Sequence, residues 1–226
     1  MGQTLPIIVL KIIQEYYYIF GIIPAIFYLF LFKRINDKGL RVIVFLLLIG
    51  FGADLYSLYL AKIGQANYLV YNLFILIESL LLFGYFYVIL SSTLHRSIII
   101  FITLVYIIVF FGYYIKIKGS SNYLDVCAVI ENILIIFLSI VYFFKEISKP
   151  DNLEFQKKSQ FWVVCSYLIY SAGTLFLFLY INTLPKAEQQ NDYVLNYIFL
   201  FPKSLLLSIA MCMKNTFPQR KKFQLT

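Results

Sequence analysis

Four ionisable residues stand where such residues are rarely found. Asp54, Glu78, Glu131 and Lys203 each lie deep inside an apolar run long enough to cross a bilayer. At the centre of a membrane helix each such group costs about 2.5–3.5 kcal/mol to insert. The surrounding Leu, Ile, Phe and Val offset this at about 0.3–0.6 kcal/mol apiece, so insertion tolerates the charges without explaining them. Groups in that position are expected to face a bundle interior or a wet cavity and to pair with something. Pro202 directly precedes Lys203. A proline there removes one helical hydrogen bond and frees the carbonyl of Ile198, so Pro202 is read as a helix break beside a buried cation.

Spacing puts further polar residues on the same faces. Asn67, Tyr71, Glu78 and Tyr85 recur at intervals of four, seven and seven, which is one stripe of a helix. Cys127, Glu131 and Tyr142 share another face, as do Asp192, Asn196 and Lys203. Trp162, Ser166, Tyr170 and Gly173 form a milder stripe, and so do Gly50, Asp54 and Ser57. The depths agree as well. At 1.5 Å per residue, Glu78 and Lys203 lie about 17–18 Å below one end of their helices, and Asp54 and Glu131 about 12–14 Å. Asp54, Tyr71, Glu78, Glu131, Tyr170, Asn196 and Lys203 are therefore the candidate ligand or ion cavity.

Two arrangements satisfy these residues. In one, Lys203 forms a dry ion pair with Glu78 or Glu131 that locks the packing. In the other, the charges line a wet, outward-facing cavity. One cation facing three carboxylates is unbalanced and favours the cavity, because a dry core cannot hold the surplus charge.

The elements that must position these groups follow from composition. Of 226 residues, 62% are hydrophobic and 13% charged, with a mean hydropathy of +0.83. A soluble domain is nearer half apolar and a quarter charged. The apolar runs are continuous, as in Leu40–Phe51 and Ile98–Phe111, and do not alternate as barrel strands do. The fold class is all-α, a polytopic bundle of seven transmembrane helices over roughly 8–32, 40–62, 67–91, 96–117, 122–145, 159–182 and 191–213. Turn residues mark the breaks, among them Asn36-Asp37-Lys38-Gly39 and Gly64-Gln65-Ala66-Asn67. One membrane domain is expected to fill residues 1–226, with no soluble domain.

Orientation follows from the basic residues. Thirteen of them, running from Lys33 and Arg34 to Lys222, fall in one set of loops; Lys11, Lys62, Lys116, Lys118 and Lys186 fall in the other. The richer side is expected to be cytoplasmic, which puts the N-terminus outside and the C-terminus inside. The net charge of +8 is thereby assigned to topology, and no nucleic-acid partner is expected. The N-terminus lacks the basic region and cleavage pattern of a signal peptide, so the first span is expected to stay.

No motif points to an enzyme. The chain lacks a His-Glu-x-x-His zinc motif, a Gly-x-Ser-x-Gly elbow and a paired-aspartate protease motif. Cys127, Cys165 and Cys212 lack metal-ligand spacing, and His95 falls in an expected cytoplasmic loop. A lysine in the last helix suggests a retinal Schiff base. The tryptophans that flank retinal are missing, however, since the sole one is Trp162 near an interface. No metal or cofactor is expected.

Phe161-Trp162-Val163-Val164, Leu168-Ile169-Tyr170-Ser171-Ala172-Gly173-Thr174, Asn196-Tyr197-Ile198-Phe199 and the upstream Ile77-Glu78-Ser79 carry a resemblance. In them the chain resembles a family of small seven-helix integral membrane proteins of Bacteroidetes bacteria, to which no activity is attached. Where that family is expected to have an asparagine or lysine pair, this chain has Pro202-Lys203-Ser204, a partial match. The resemblance implies a bacterial inner membrane and signalling kinases as neighbours. Two functions stay open. One is a sensory or signal-relay module, its partners the lipid bilayer and a separate cytoplasmic signalling protein. The other is a small secondary transporter or ion conductor using the buried Glu and Lys charges.

Overall fold

The structure, a computed structural model, describes residues 4–31, 37–118, 123–149, 154–181 and 194–213. The described residues form seven α-helices: α1 Thr4–Leu31, α2 Lys38–Lys62, α3 Tyr68–Ile89, α4 Thr93–Ile117, α5 Asp125–Ile147, α6 Ser159–Ile181 and α7 Val194–Cys212. A short 3₁₀ turn, Phe155–Lys157, leads into α6, and there is no strand among the described residues. Five of the helices, α2 to α6, are long and apolar enough to cross a membrane, and Tyr16–Leu31 and Ile198–Cys212 are shorter apolar stretches of α1 and α7. The protein is a helical membrane bundle.

Polar side chains fix where the helices begin. Asp37 accepts a hydrogen bond from the backbone N–H of Gly39 at 2.7 Å and caps α2. Ser92 accepts from the N–H of His95 at 3.2 Å and caps α4. This cap starts α4 at Thr93, earlier than hydropathy suggests, and places His95 in the first helical turn and not in a loop. The Leu124 N–H, just ahead of α5, donates to Asn72 Oδ1 on α3 at 3.0 Å. At the far end of α3 the Ile89 carbonyl accepts from Lys145 Nζ at 2.8 Å. Gly64 ends the α2 turn at φ +72°, a conformation that glycine adopts without strain.

Packing arranges six helices in a ring. α1 packs on α2, α2 on α3, α3 on α5, α5 on α6, α6 on α7, and α7 back on α1. α4 lies outside, against α3 and α5, and buries only Ile99, Tyr106 and Phe110. The end of the ring opposite the α2–α3 turn is filled. Tyr28, Leu40, Ile43, Leu82, Tyr85, Phe86 and Tyr142 are all fully buried there.

The expected break at Pro202 is corrected. α7 runs unbroken through Pro202, as α1 does through Pro24. One missing N–H removes one rung of the ladder, and packing against α1 and α6 holds α7 helical across it.

Candidate functional site

The ring encloses a cavity of about 970 Å³. All six ring helices line it, and α4 contributes nothing. Asn67, Tyr68, Tyr123 and Asp125, at the starts of α3 and α5, border one end, while Leu46, Ile135 and Leu207 line its deeper part. Asp54, Tyr71, Glu78, Glu131, Tyr170, Asn196 and Lys203 all line this one space. Pro202 does not, although its neighbour Lys203 does.

The centre of the site is an ion pair. Lys203 Nζ donates to Glu78 Oε1 at 3.2 Å, with both side chains largely buried. The same ammonium stands 4.0 Å from the ring centroid of Tyr170 and 4.6 Å from that of Tyr167. It is therefore held by one carboxylate and two aromatic faces, whose negative quadrupoles favour a desolvated cation. Asp54 Oδ1 accepts from the Tyr17 hydroxyl at 3.2 Å, which ties α1 to α2. Both Asp54 and Glu131 lie within electrostatic reach of Glu78 and Lys203.

Glu131 is 5% exposed, and its Oε1 has no hydrogen-bond partner among the described residues. Tyr167 Oη, Ser171 Oγ and Asn196 Oδ1 are buried and unpartnered in the same way, and all four residues line the cavity. Buried polar atoms are nearly always satisfied in a folded protein, by protein groups, water or a ligand. Four unpartnered ones stand together in the cavity, and others, the hydroxyls of Tyr85, Tyr106 and Tyr142, lie in the packed core.

Not every expected stripe faces inward as read. On α6 the cavity residues are Tyr167, Tyr170, Ser171 and Thr174. Ser166 is buried off the cavity and donates to the Val163 carbonyl at 2.7 Å. Gly173 faces Phe199 of α7, and a Cβ there would run into the Phe199 ring. Cys127, Tyr85 and Tyr142 belong to the packed core. Ser57 accepts from Asn67 Nδ2 at 2.6 Å, which ties the α2 and α3 ends together. Asp192 lies outside the described residues.

Other members escaped the sequence. Tyr17 on α1, which in sequence reads as an interfacial anchor, and Tyr167 on α6, which no stripe includes, both line the cavity. Asn132 accepts from Thr174 Oγ1 at 3.3 Å across α5 and α6. Two buried acids lie away from the cavity. Asp37 is near Ser159, whose Oγ donates to it at 3.4 Å, and Glu146 pairs with Lys149 and, at 2.9 Å, with Lys158. Lys149 and Lys158 read from sequence as topology charges alone, yet here they also neutralise a buried carboxylate.

Fold and site together define a class: a helical membrane bundle with a central polar cavity. No family model matches the chain, and no curated protein or solved structure is significantly similar to it.

Proposed function

We propose that the protein is a sensory or signal-relay module of a bacterial inner membrane, binding a small polar ligand in the central cavity. The observation that carries this reading is the set of four unpartnered buried oxygens in one charged, half-enclosed space. The thirteen-to-five bias of basic loop residues orients the Asn67 and Tyr123 end outward, so the ligand enters from outside. Relay has a physical route. Lys203 and Ser204 join α7 to α1, α3 and α6, so a ligand that draws on Lys203 acts on four helices at once. The output passes to a separate cytoplasmic protein, in keeping with the kinase neighbourhood that the family resemblance implies.

A second reading, a small secondary transporter, has one observation in its favour. The two helices that carry an internal proline, α1 with Pro24 and α7 with Pro202, pack on one another beside the cavity. Such a pair is a natural moving unit.

Single cysteines separate the readings, in a background where Cys127, Cys165 and Cys212 are alanine. Tyr71→Cys is expected to react with a small membrane-impermeant thiol reagent from outside. Leu207→Cys, deep in the cavity, is expected to react from outside only. Reaction of Leu207→Cys from both sides identifies a transporter, and protection of both positions in folded protein removes the binding reading altogether.

A further inference from the structure

We infer that the cavity takes an organic amine in its protonated form, with Glu131 as the carboxylate that receives the ammonium. The inference rests on the reading of the cavity as a ligand site and names its ligand class.

Charge is the first argument. Asp54, Glu78 and Glu131, with Asp125 at the rim, line the cavity against Lys203, the one cation among its described lining residues. Lys203 is committed to Glu78, and Asp54 has the Tyr17 hydroxyl. Glu131 Oε1 has no donor among the described residues. An anionic ligand would meet surplus carboxylates, whereas a cationic one is attracted by them.

The second argument is the kind of atom left unsatisfied. The unpartnered cavity atoms are a carboxylate oxygen, an amide oxygen and the hydroxyls of Ser171 and Tyr167, and none is an N–H. All four can accept a hydrogen bond, and the two that cannot also donate, Glu131 Oε1 and Asn196 Oδ1, require a donor. An alkylammonium carries three N–H donors and no acceptor. Glu131 Oε1, Ser171 Oγ and Asn196 Oδ1 supply a matching number of acceptors.

Thirdly, the site already holds such a group. The Lys203 side chain is itself an alkylammonium, seated on Glu78 between the faces of Tyr170 and Tyr167. The walls therefore suit a desolvated ammonium, and the chain's own lysine fills only one of the carboxylate positions.

Size separates an organic cation from a bare ion. About 970 Å³ is the volume of a small-molecule pocket. Among the described residues, no three acidic, histidine or cysteine groups come close enough together to hold a metal ion. Carboxylates spread around a large space, with Tyr, Leu and Ile between them, suit a ligand with a charged head and an apolar body.

Isothermal titration of the full chain in lipid nanodiscs tests this. The probes are methylammonium, 2-phenylethylammonium and 1,4-butanediammonium, with 2-phenylethanol as the uncharged isostere. At least one amine is expected to bind saturably, with the alcohol weaker by about tenfold or more. Glu131→Gln should weaken that amine by about tenfold or more, and Ser171→Ala should weaken it several-fold. The alanine variant keeps the test open if Glu131→Gln does not fold. Binding by none of the three amines, equal binding of the alcohol, or unchanged affinity in both variants overturns the inference. Outside labelling of Tyr71→Cys runs in parallel. A labelled cavity that binds no amine sinks the ligand class and leaves the binding module standing, whereas an unlabelled cavity sinks both.

Discussion

The hydroxyl of Ser204 on α7 donates to the backbone carbonyl of Phe20 on α1. Phe20 lies four residues before Pro24, which has no N–H to offer that carbonyl. α7 thus supplies the hydrogen bond that α1 cannot make within itself. The preceding residue, Lys203, reaches Glu78 on α3 and the rings of Tyr167 and Tyr170 on α6. Two consecutive side chains fasten α7 to three other helices.

Removing that hydroxyl should cost stability only while Pro24 is present. Ser204→Ala is expected to destabilise the bundle by about 0.6 kcal/mol, the average for hydrogen bonds between membrane helices, and by no more than about 1.7 kcal/mol. In a Pro24→Ala background the new N–H can bond the Phe20 carbonyl, and the cost of Ser204→Ala should shrink towards zero. Unfolding in mixed micelles measures both. Strictly additive costs would show that the serine does not compensate for the proline.

Lys203→Met strands Glu78. Breaking a buried pair by removing one partner typically costs about 3–5 kcal/mol. Adding Glu78→Gln should recover part of that loss, and adding Glu131→Gln should recover less, because Lys203 bonds Glu78 directly. Equal recovery by the two would contradict the pairing described here.

Gly173→Ala should loosen the contact between α6 and α7. The added Cβ meets the Phe199 ring with no room to spare, and overpacking of this kind costs about 1–3 kcal/mol. Phe199→Leu in the same chain should restore much of the melting temperature. A neutral Gly173→Ala would mean that the ring moves freely.

Topology is open to direct labelling in the cysteine-free background. Gln65 lies in the exposed α2–α3 turn and Ser148 is exposed just after α5. Gln65→Cys should react with an impermeant reagent in intact cells, and Ser148→Cys only after permeabilisation. The opposite pattern reverses the orientation and the side from which the cavity fills.

Hydropathy made the helices legible because the bilayer imposes a length on each one. Depth was legible for the same reason: residue counts from the helix ends bring Glu78 and Lys203 to one level, and the structure pairs them. Rotation was harder to read. On α6 the true inward stripe is Tyr167, Tyr170, Ser171 and Thr174, and the expected one included Ser166 and Gly173. One position along a helix is a turn of about 100°, and small residues serve close packing as readily as they line a cavity. Tyr17 and Tyr167 were hidden because a tyrosine is apolar body and polar tip at once. The link from Ser204 to Phe20 could not be read at all, since it depends on which helices close the ring, a property no local pattern encodes.

The distance along the chain between Glu78 and Lys203 has a consequence for how the protein is made. Their ion pair spans 125 residues. At about 5–20 residues per second, a ribosome needs about 6–25 seconds to produce the lysine once the glutamate has emerged. During that interval α3 enters the bilayer with its carboxyl unmatched, and α1 waits with the Phe20 carbonyl exposed. α7 satisfies both in a single docking step, so the nascent bundle is left with two polar defects until that span arrives. An arrested chain that ends before α7 should therefore be marked out for membrane proteolysis by the features that later build the cavity.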